Sequence, residues 1–249
     1  QQKLKEAITR LKGIDNEYLF TGNGSDEIID LTLRIFVKPG KEKVMIFPPT
    51  YGIYEVSAAI NDLEVIKVPL TGNFQIDISE AEKYFGDPAL KVIFICSPNN
   101  PTGNSMHPES IGYIISRFNG IVLLDEAYSD FSDKPSFLRK VMEFPNLIVM
   151  QTFSKALGLA AARVGMAFAN PEIIHYFNKA KPPYNVSALN QQAALDKLAG
   201  GTEYRSQVRE IVRERERVAA EIKKLPATIK VFPSDANFLL VKVTNANLI

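Results

Sequence analysis

Short apolar runs alternate with amphipathic segments along most of the chain. Between residues 43 and 170, the runs rich in β-branched residues read KVMIFPP, EVIKVP, KVIFICSP, GIVLLDEAY, NLIVMQTFSK and RVGMAFAN. Around and between them, segments such as SDEIIDLTLRIF, PESIGYIISRF and PEIIHYFNKA carry apolar residues at helical spacing. Continuous apolar strands that alternate with helices predict an α/β fold, a mostly parallel sheet with helices on both faces.

The pattern changes after residue 200. A long charged segment predicts a helix over about 203–224, and ATIKVFPSDANFLLVKV then alternates like an antiparallel pair of strands. We therefore assign residues 1–224 to a large domain that includes the long helix, and residues 225–249 to part of a small α+β domain. The abrupt ends, QQKLKEAITRLKG and FLLVKVTNANLI, lead us to expect that parts of the native protein are missing from both.

Composition excludes several classes of partner. The 249 residues include 29 Lys and Arg against 28 Asp and Glu, so no global field favours nucleic acid or an anionic membrane. No apolar run reaches membrane-spanning length, and the basic first helix has no signal-peptide core. The single cysteine, Cys96, excludes an internal disulfide and fits a reducing compartment. We expect a soluble, cytoplasmic protein that binds a small molecule.

The segment TGNGSDE opens a predicted helix and is a candidate phosphate site. Gly24, Ser25 and Asp26 lie at the helix start, where backbone N–H groups attract a phosphate. Glu27 occupies the position of the third glycine in a dinucleotide-binding fingerprint, so that fingerprint is incomplete. A plain N-cap explains this segment equally well when it is considered alone.

Two more segments follow predicted strands, where ligands collect in open α/β sheets. In FPPTYGIYE, Tyr51 is either a stacking surface for an aromatic ligand or a half-buried packing residue. In CSPNNPTGN, two X-Pro bonds favour a rigid loop that holds the Asn100 amide toward a ligand oxygen, unless the segment is only a turn. We predict a cis peptide bond at Ser97-Pro98 or at Asn100-Pro101.

The run LLDEAYSDF ends a very apolar strand with acidic residues and Tyr128. A carboxylate at the end of a buried strand is costly without a positive partner, so Asp125 requires a cation. His107 and His175 show no metal-ligand spacing with the acids, and we predict no metal site.

The stretch TFSKALGLAAARVG contains two isolated cations. Lys155 follows a strand among small residues, where desolvation would make it a usable amine nucleophile. Arg163 offers a planar fork for a phosphate, and Thr152 and Ser154 add hydroxyl donors. Considered alone, Lys155 is a solvated lysine at a helix start.

Together these side chains describe one ligand, pyridoxal 5′-phosphate. The ligand's parts are a phosphate, a flat ring, a ring cation, a ring oxygen and an aldehyde. The predicted cofactor-binding residues are Gly24, Ser25, Asp26, Tyr51, Asn100, Asp125, Tyr128, Thr152, Ser154, Lys155 and Arg163.

The sequence also resembles the fold-type I, class I and II aminotransferases, and within them the histidinol-phosphate branch. The blocks that carry the resemblance are GNGSDEIIDL, FPPTYGIYEVSA, SPNNPTGN, LDEAYSDF, TFSKALGLAAARVG and KPPYNVSALNQQAA, in family order. The resemblance implies a seven-stranded large domain, a small domain built from both chain ends, and a homodimer. We expect the family's N-terminal tyrosine for the neighbouring cofactor phosphate and its C-terminal substrate arginine to lie outside this sequence.

The resemblance implies a catalytic set of Lys155, Asp125 and Tyr128. Lys155 would hold the cofactor's aldehyde carbon and move the substrate proton, and Asp125 would keep the ring nitrogen protonated. Tyr128 and Asn100 would tune the ring oxygen, while Tyr51 would fix the ring plane.

The implied reaction is transamination of L-histidinol phosphate with 2-oxoglutarate, a step of histidine biosynthesis, with Tyr51, Asn100 and Asn185 near the substrate. Other readings remain open. The residues that bind the cofactor do not determine substrate specificity, so an aromatic amino-acid aminotransferase or a phosphothreonine decarboxylase would share these sequence blocks. A non-enzymatic regulatory module that binds the cofactor is a further alternative, although we find no sign of a DNA-binding domain.

Overall fold

The computed structural model describes residues 1–201 and 203–248. The strands are β1 Leu19–Asn23, β2 Lys43–Ile46, β3 Glu64–Lys67, β4 Leu90–Cys96, β5 Ile121–Asp125, β6 Leu147–Thr152, β7 Val164–Ala169, β8 Thr228–Val231 and β9 Val241–Val243. The α-helices are α1 Gln2–Lys12, α2 Gly24–Phe36, α3 Ile53–Ile60, α4 Ile78–Glu82, α5 Pro108–Arg117, α6 Pro171–Ala180, α7 Ala188–Ala199 and α8 Glu203–Ile222. None of these helices is long and apolar enough to cross a membrane.

Seven strands form one sheet in the order β1-β7-β6-β5-β4-β2-β3. The pairings among β2 to β6 are parallel, whereas β7 runs antiparallel to both of its neighbours, β1 and β6. The prediction of a mostly parallel α/β sheet is therefore confirmed, and each of the six apolar runs contains a strand. The helix predicted over 203–224 and the antiparallel pair after it, β8 and β9, are also present.

Strand β1 was not predicted, because its residues favour turns in isolation. It contains Thr21, Gly22 and Asn23, and its strand conformation comes from pairing with β7, in which Gly22 faces Gly165. Tertiary pairing overrides weak local strand propensity here.

The sheet is buried between two helical layers. Apolar residues of α1, α5, α7 and α8 pack on one face, and those of α2, α3 and α6 pack on the other. Alternate residues of β4 follow this division: Ile93 and Ile95 join the first cluster, and Val92, Phe94 and Cys96 join the second. Burial on both faces explains why the central strands read as continuous apolar runs.

The topology brings most of the predicted site segments to one edge of the sheet. Strands β4, β5 and β6 end there at Cys96, Asp125 and Thr152, and the antiparallel strand β7 begins there directly after Arg163. Strand β1 ends at the same edge, where Gly24 begins α2.

The segment between β8 and β9 docks on the loop that follows β4. Asp235 N–H donates to the Gly103 carbonyl oxygen at 2.7 Å, and Ser105 N–H donates to Asp235 Oδ2 at 3.0 Å. Arg215 of α8 donates to the Ala236 carbonyl oxygen at 2.8 Å. These contacts fix the segment beside the edge of the sheet that carries the site.

Candidate active site

A cavity of about 160 Å³ lies at the carboxyl edge of the sheet. Its lining residues are Ser25, Asp26, Tyr51, Cys96, Asn100, Asp125, Ala127, Tyr128, Thr152, Ser154, Lys155, Ala160 and Arg163. Of the predicted site residues, all line this cavity except Gly24, which directly precedes Ser25, and Asn185.

Asp125 is the most deeply buried charged group of the cavity, with 4% of its surface exposed. Its Oδ2 accepts a hydrogen bond from the Tyr54 hydroxyl at 2.6 Å, and its Oδ1 accepts one from Ala127 N–H at 2.9 Å. Burial raises the pKa of the Asp125 carboxyl above its ordinary value, while these two hydrogen bonds oppose the rise. The floor of the cavity is thus a carboxylate that a cationic ring nitrogen would stabilise.

Tyr51 lies half-buried at the cavity, with its ring edge-on to Tyr54 at a centroid distance of 5.6 Å. Burial raises the pKa of Tyr51 to about 12, and the carboxylates of Asp26 and Asp125 add to the shift. Tyr51 therefore keeps its proton throughout the physiological range. Its two predicted roles, packing and ring placement, are compatible in this position.

Lys155 and Tyr128 form one wall. The Lys155 Nζ atom lies 5.0 Å from the centroid of the Tyr128 ring. Tyr128 is buried and packs edge-on against Phe238, at 5.2 Å between centroids, so the segment between β8 and β9 reaches the site. We expected Lys155 to be desolvated among small residues, but it is exposed, because the small residues around it leave its side chain uncovered.

Another group of lining residues, called the phosphate end here, supplies donors suited to a phosphate. Thr152 Oγ1 accepts a hydrogen bond from Ser154 N–H at 3.1 Å and donates to Ser154 Oγ at 3.0 Å. Arg163 Nη2 lies 3.2 Å from Asp26 Oδ2, and both side chains are about half exposed. Together with Ser25 at the start of α2, this end offers hydroxyls, a guanidinium and a helix N-terminus.

Two glycines allow the first turn of α2 to lie directly against β7. A Cβ atom on Gly165 would lie 2.7 Å from the Ser25 backbone nitrogen and would also clash with the Gly24 backbone. Gly24 has a φ of 76°, in the left-handed region that favours glycine, and a Cβ there would meet the Arg163 guanidinium. This close approach brings the helix N-terminus beside Arg163.

Phosphate donors, a buried carboxylate and an amine in one cavity are the chemical groups that pyridoxal phosphate requires, so the residues fit this cofactor.

The two asparagines of CSPNNPTGN have different environments. Asn99 is fully buried and bonds to Thr50, Thr102 and the Pro49 carbonyl oxygen, so it holds the loop together. Asn100 lines the cavity. The predicted cis bonds are confirmed at Ser97-Pro98 and at Asn100-Pro101, and Pro48-Pro49 is cis as well.

Asn185 is buried but lies outside the cavity, in a partly buried hydrogen-bond network behind the start of α2. Its Nδ2 donates to the Thr21 carbonyl oxygen at 3.0 Å and to Glu27 Oε2 at 2.8 Å, and its Oδ1 accepts from Gln1 at 2.6 Å. Glu27 Oε2 also accepts the Asn23 N–H at 2.5 Å. In the described part of the chain, Asn185 thus supports the strand and helix that carry the phosphate end and does not itself reach the cavity.

Tyr54 and Cys96 contribute to the floor but were not predicted as site residues. Tyr54 lies in the first turn of α3, three positions after Tyr51 in the loop before the helix, and this short spacing between two aromatic residues was the available signal. Cys96 ends β4 opposite Asp125 in the sheet register. Burial raises the pKa of the Cys96 thiol, so this cysteine stays protonated.

The chain matches the family model described as aminotransferase class I and II over residues 1–248. It is 51% identical over 247 residues to the histidinol-phosphate aminotransferase of Parabacteroides distasonis, covering 99% of this chain and 71% of that protein. It is 47% identical over 245 residues to the corresponding enzyme of Cytophaga hutchinsonii, covering 98% of this chain and 70% of that protein. The solved histidinol-phosphate aminotransferase from Sinorhizobium meliloti, in complex with pyridoxal-5'-phosphate, superposes with a TM-score of 0.87 at 25% identity, covering 98% of this chain and 66% of that one.

Proposed function

The chain belongs to the class I and II aminotransferases, and on that premise we propose that it transfers the amino group of L-histidinol phosphate to 2-oxoglutarate, a step of histidine biosynthesis. The observation that carries the proposal is the 47–51% identity to histidinol-phosphate aminotransferases over nearly the whole chain. Pyridoxal phosphate supplies, when bound, an aldehyde for covalent attachment and a ring that withdraws electrons from the reacting carbon. The chain's own residues bind that group and move the proton.

Asp125 is assigned to the ring nitrogen. A buried carboxylate with fixed donors to both of its oxygens is held in one orientation and needs a cation beside it. Asp125 would keep a proton on the ring nitrogen by charge pairing in a site shielded from water. The hydroxyl of Tyr128 and the amide of Asn100, on the same cavity, would hydrogen-bond the ring oxygen.

We assign the side-chain amine of Lys155 to the aldehyde carbon of the cofactor, which it would hold covalently. Its Nζ lies over the Tyr128 ring at the cavity wall, and its side chain is exposed. The same amine would take the proton from the substrate carbon. The phosphate end would be held by Ser25, Thr152, Ser154, Arg163 and the N-terminus of α2.

Substrate rates test the proposed reaction. The purified protein loaded with pyridoxal phosphate should transaminate histidinol phosphate at least about 100-fold more efficiently than histidinol, because a site built for a phosphate leaves its donors unpaired when the phosphate is absent. Equal efficiency with phenylalanine would instead indicate an aromatic aminotransferase, and CO₂ release from phosphothreonine would indicate a decarboxylase. A protein that binds the cofactor without turnover of any amine would be a regulatory module.

Assembly, domain division and location are also proposals. Support for a homodimer comes from two large hydrophobic side chains that are exposed, Tyr184 in the loop before α7 (92%) and Leu189 in its first turn (82%). Light scattering should give twice the chain mass, and the Tyr184→Ser, Leu189→Ser double variant should shift the measured mass toward that of the monomer.

The separate β8–β9 sheet supports a small domain over residues 225–249. The single, free Cys96 supports a cytoplasmic location.

A further inference from the structure

Tyr54 is a fully buried tyrosine on α3 whose hydroxyl has one acceptor among the described residues, the Asp125 carboxylate. The hydroxyl donates to Asp125 Oδ2 at 2.6 Å. The Tyr54 ring stacks on Phe94, with 4.9 Å between centroids and 10° between planes. Because the stack fixes the ring, the hydroxyl can point in few directions, and its hydrogen bond is pre-organised.

The strands on which Tyr54 packs, β4 and the neighbouring β5, fix the position of Asp125. Phe94 and Cys96 lie on the face of β4 that packs against α3, and Cys96 pairs in register with Asp125 at the end of β5. Asp125 therefore receives one donor from the helix layer and one from the Ala127 backbone, one on each oxygen. Side-chain freedom at Asp125 is removed from two independent directions.

Tyr54 also affects the charge of Asp125. A hydrogen bond donated to a carboxylate favours the ionised form, and this bond opposes the rise in the pKa of Asp125 that burial causes. Burial raises the pKa of Tyr54 itself well above its ordinary value, so its hydroxyl keeps the proton that it donates at neutral pH. The neighbouring Asp26 acts in the opposite sense, and Lys155 acts in the same sense as Tyr54.

We propose that Tyr54 is a positioning residue for the cofactor: it holds Asp125 as a correctly oriented anion that pairs with the ring nitrogen of pyridoxal phosphate. This inference rests on the proposed function and deepens it, because it extends the nitrogen-binding unit to a residue of α3. Tyr54 acts only through Asp125 and has no contact with the reacting atoms.

The experiment compares two ligands, pyridoxal phosphate and its analogue with carbon in place of the ring nitrogen. Absorbance titrations give the dissociation constant of each for the unloaded wild-type protein and for Tyr54→Phe. We expect Tyr54→Phe to weaken binding of pyridoxal phosphate by about tenfold, the order of one charge-assisted hydrogen bond, and to leave binding of the carbon analogue unchanged. In an Asp125→Asn background, Tyr54→Phe should have little further effect on either ligand.

The matched control is Tyr113→Phe. The Tyr113 hydroxyl donates to Glu82 Oε1 at 2.6 Å, the same bond on the surface and away from the cavity, so both dissociation constants should stay at wild-type values. Thermal melting of the unloaded variants checks folding. Should Tyr54→Phe fail to fold, Phe94→Leu removes the stacked ring and keeps the hydroxyl, and a smaller loss confined to the nitrogen-containing ligand is expected.

The outcomes separate the two proposals. A wild-type protein that binds both ligands equally would overturn the assigned role of Asp125, and this inference with it. Wild-type discrimination between the ligands that persists unchanged in Tyr54→Phe, or equal losses for both ligands in that variant, would overturn the inference about Tyr54 alone.

Discussion

The two ends of the cavity hold their charges in different ways. At the floor, Asp125 is almost completely buried, and its two donors are a fully buried tyrosine and a backbone N–H. At the phosphate end, Arg163 and Asp26 are paired at 3.2 Å with side chains 42% and 47% exposed. The floor is controlled by desolvation and fixed donors, whereas water and salt screen the phosphate end.

The difference indicates which chemistry each end can perform. An exposed ion pair contributes only about 0–1 kcal/mol, so the Arg163–Asp26 pair can open at little cost when an anionic ligand competes for the guanidinium. A buried carboxylate cannot rearrange so cheaply, because any loss of partner leaves a desolvated charge. The floor thus suits a fixed electronic role, and the phosphate end suits reversible capture of the cofactor.

Lys155 lines the same cavity as both ends, and its removal should have the largest effect on turnover. Lys155→Ala should lower turnover at least about 1,000-fold, because it removes both the attaching amine and the proton carrier. Borohydride reduction of the loaded wild-type protein, followed by peptide mapping, should label Lys155. A label on Lys179 or Lys181 would contradict the assignment.

Substitution of Asp125 at the floor should have the next largest effect on turnover. Asp125→Ala should keep the fold and lower turnover about 100-fold or more, because a ring nitrogen without its charged partner leaves a poor electron sink. This loss should be insensitive to added salt, since the site is shielded from solvent. Steady-state rates at low and high ionic strength measure both quantities, and near-normal turnover would refute the role.

Changes at the phosphate end should be smaller and salt-dependent. Arg163→Ala should weaken binding of pyridoxal phosphate about tenfold at low salt, and the difference from wild type should shrink as salt is added. Arg139→Ala, an exposed arginine away from the cavity, serves as the control. If the Arg163→Ala effect were independent of salt, the proposed contrast between the two ends would be wrong.

The smallest effect concerns stability and pH in the unloaded protein. Burial raises the folded-state pKa of Asp125. Above about pH 4 the carboxyl is ionised in the unfolded chain, and folding must then either bury that charge or bind a proton. Asp125 therefore lowers the free energy of unfolding above this pH. Asp125→Asn should therefore raise the melting temperature by about 2–4 °C at pH 7. The gain should vanish near pH 4, where the carboxyl is largely neutral in the folded state.

Asp133→Asn is the control for that measurement. The Asp133 side chain is 84% exposed, so its substitution should not change the pH dependence of melting. Glu126, whose pKa burial also raises, should preserve part of the pH dependence in Asp125→Asn. A lower melting temperature of Asp125→Asn at pH 7 would show that the two hydrogen bonds outweigh the cost of burying the charge.

Local chemistry was sufficient to predict much of this molecule. Continuous apolar runs alternating with amphipathic helices were enough to predict a mostly parallel α/β sheet and six of its seven strands, because strands covered on both faces need apolar residues at every position. Unusual side chains directly after those strands, such as Asp125 and Lys155, had to meet at one edge once the strands were parallel.

Other features depended on contacts between distant segments, which no local pattern encodes. Only the tertiary structure made a strand of LFTGN, because its pairing with β7 supplies the hydrogen bonds that its turn-prone residues lack. It also placed Asn185 behind the start of α2 and left Lys155 exposed, since both outcomes depend on what packs nearby. The bond from Tyr54 to Asp125 spans 71 positions and exists because α3 packs on the face of the sheet beside the end of β5.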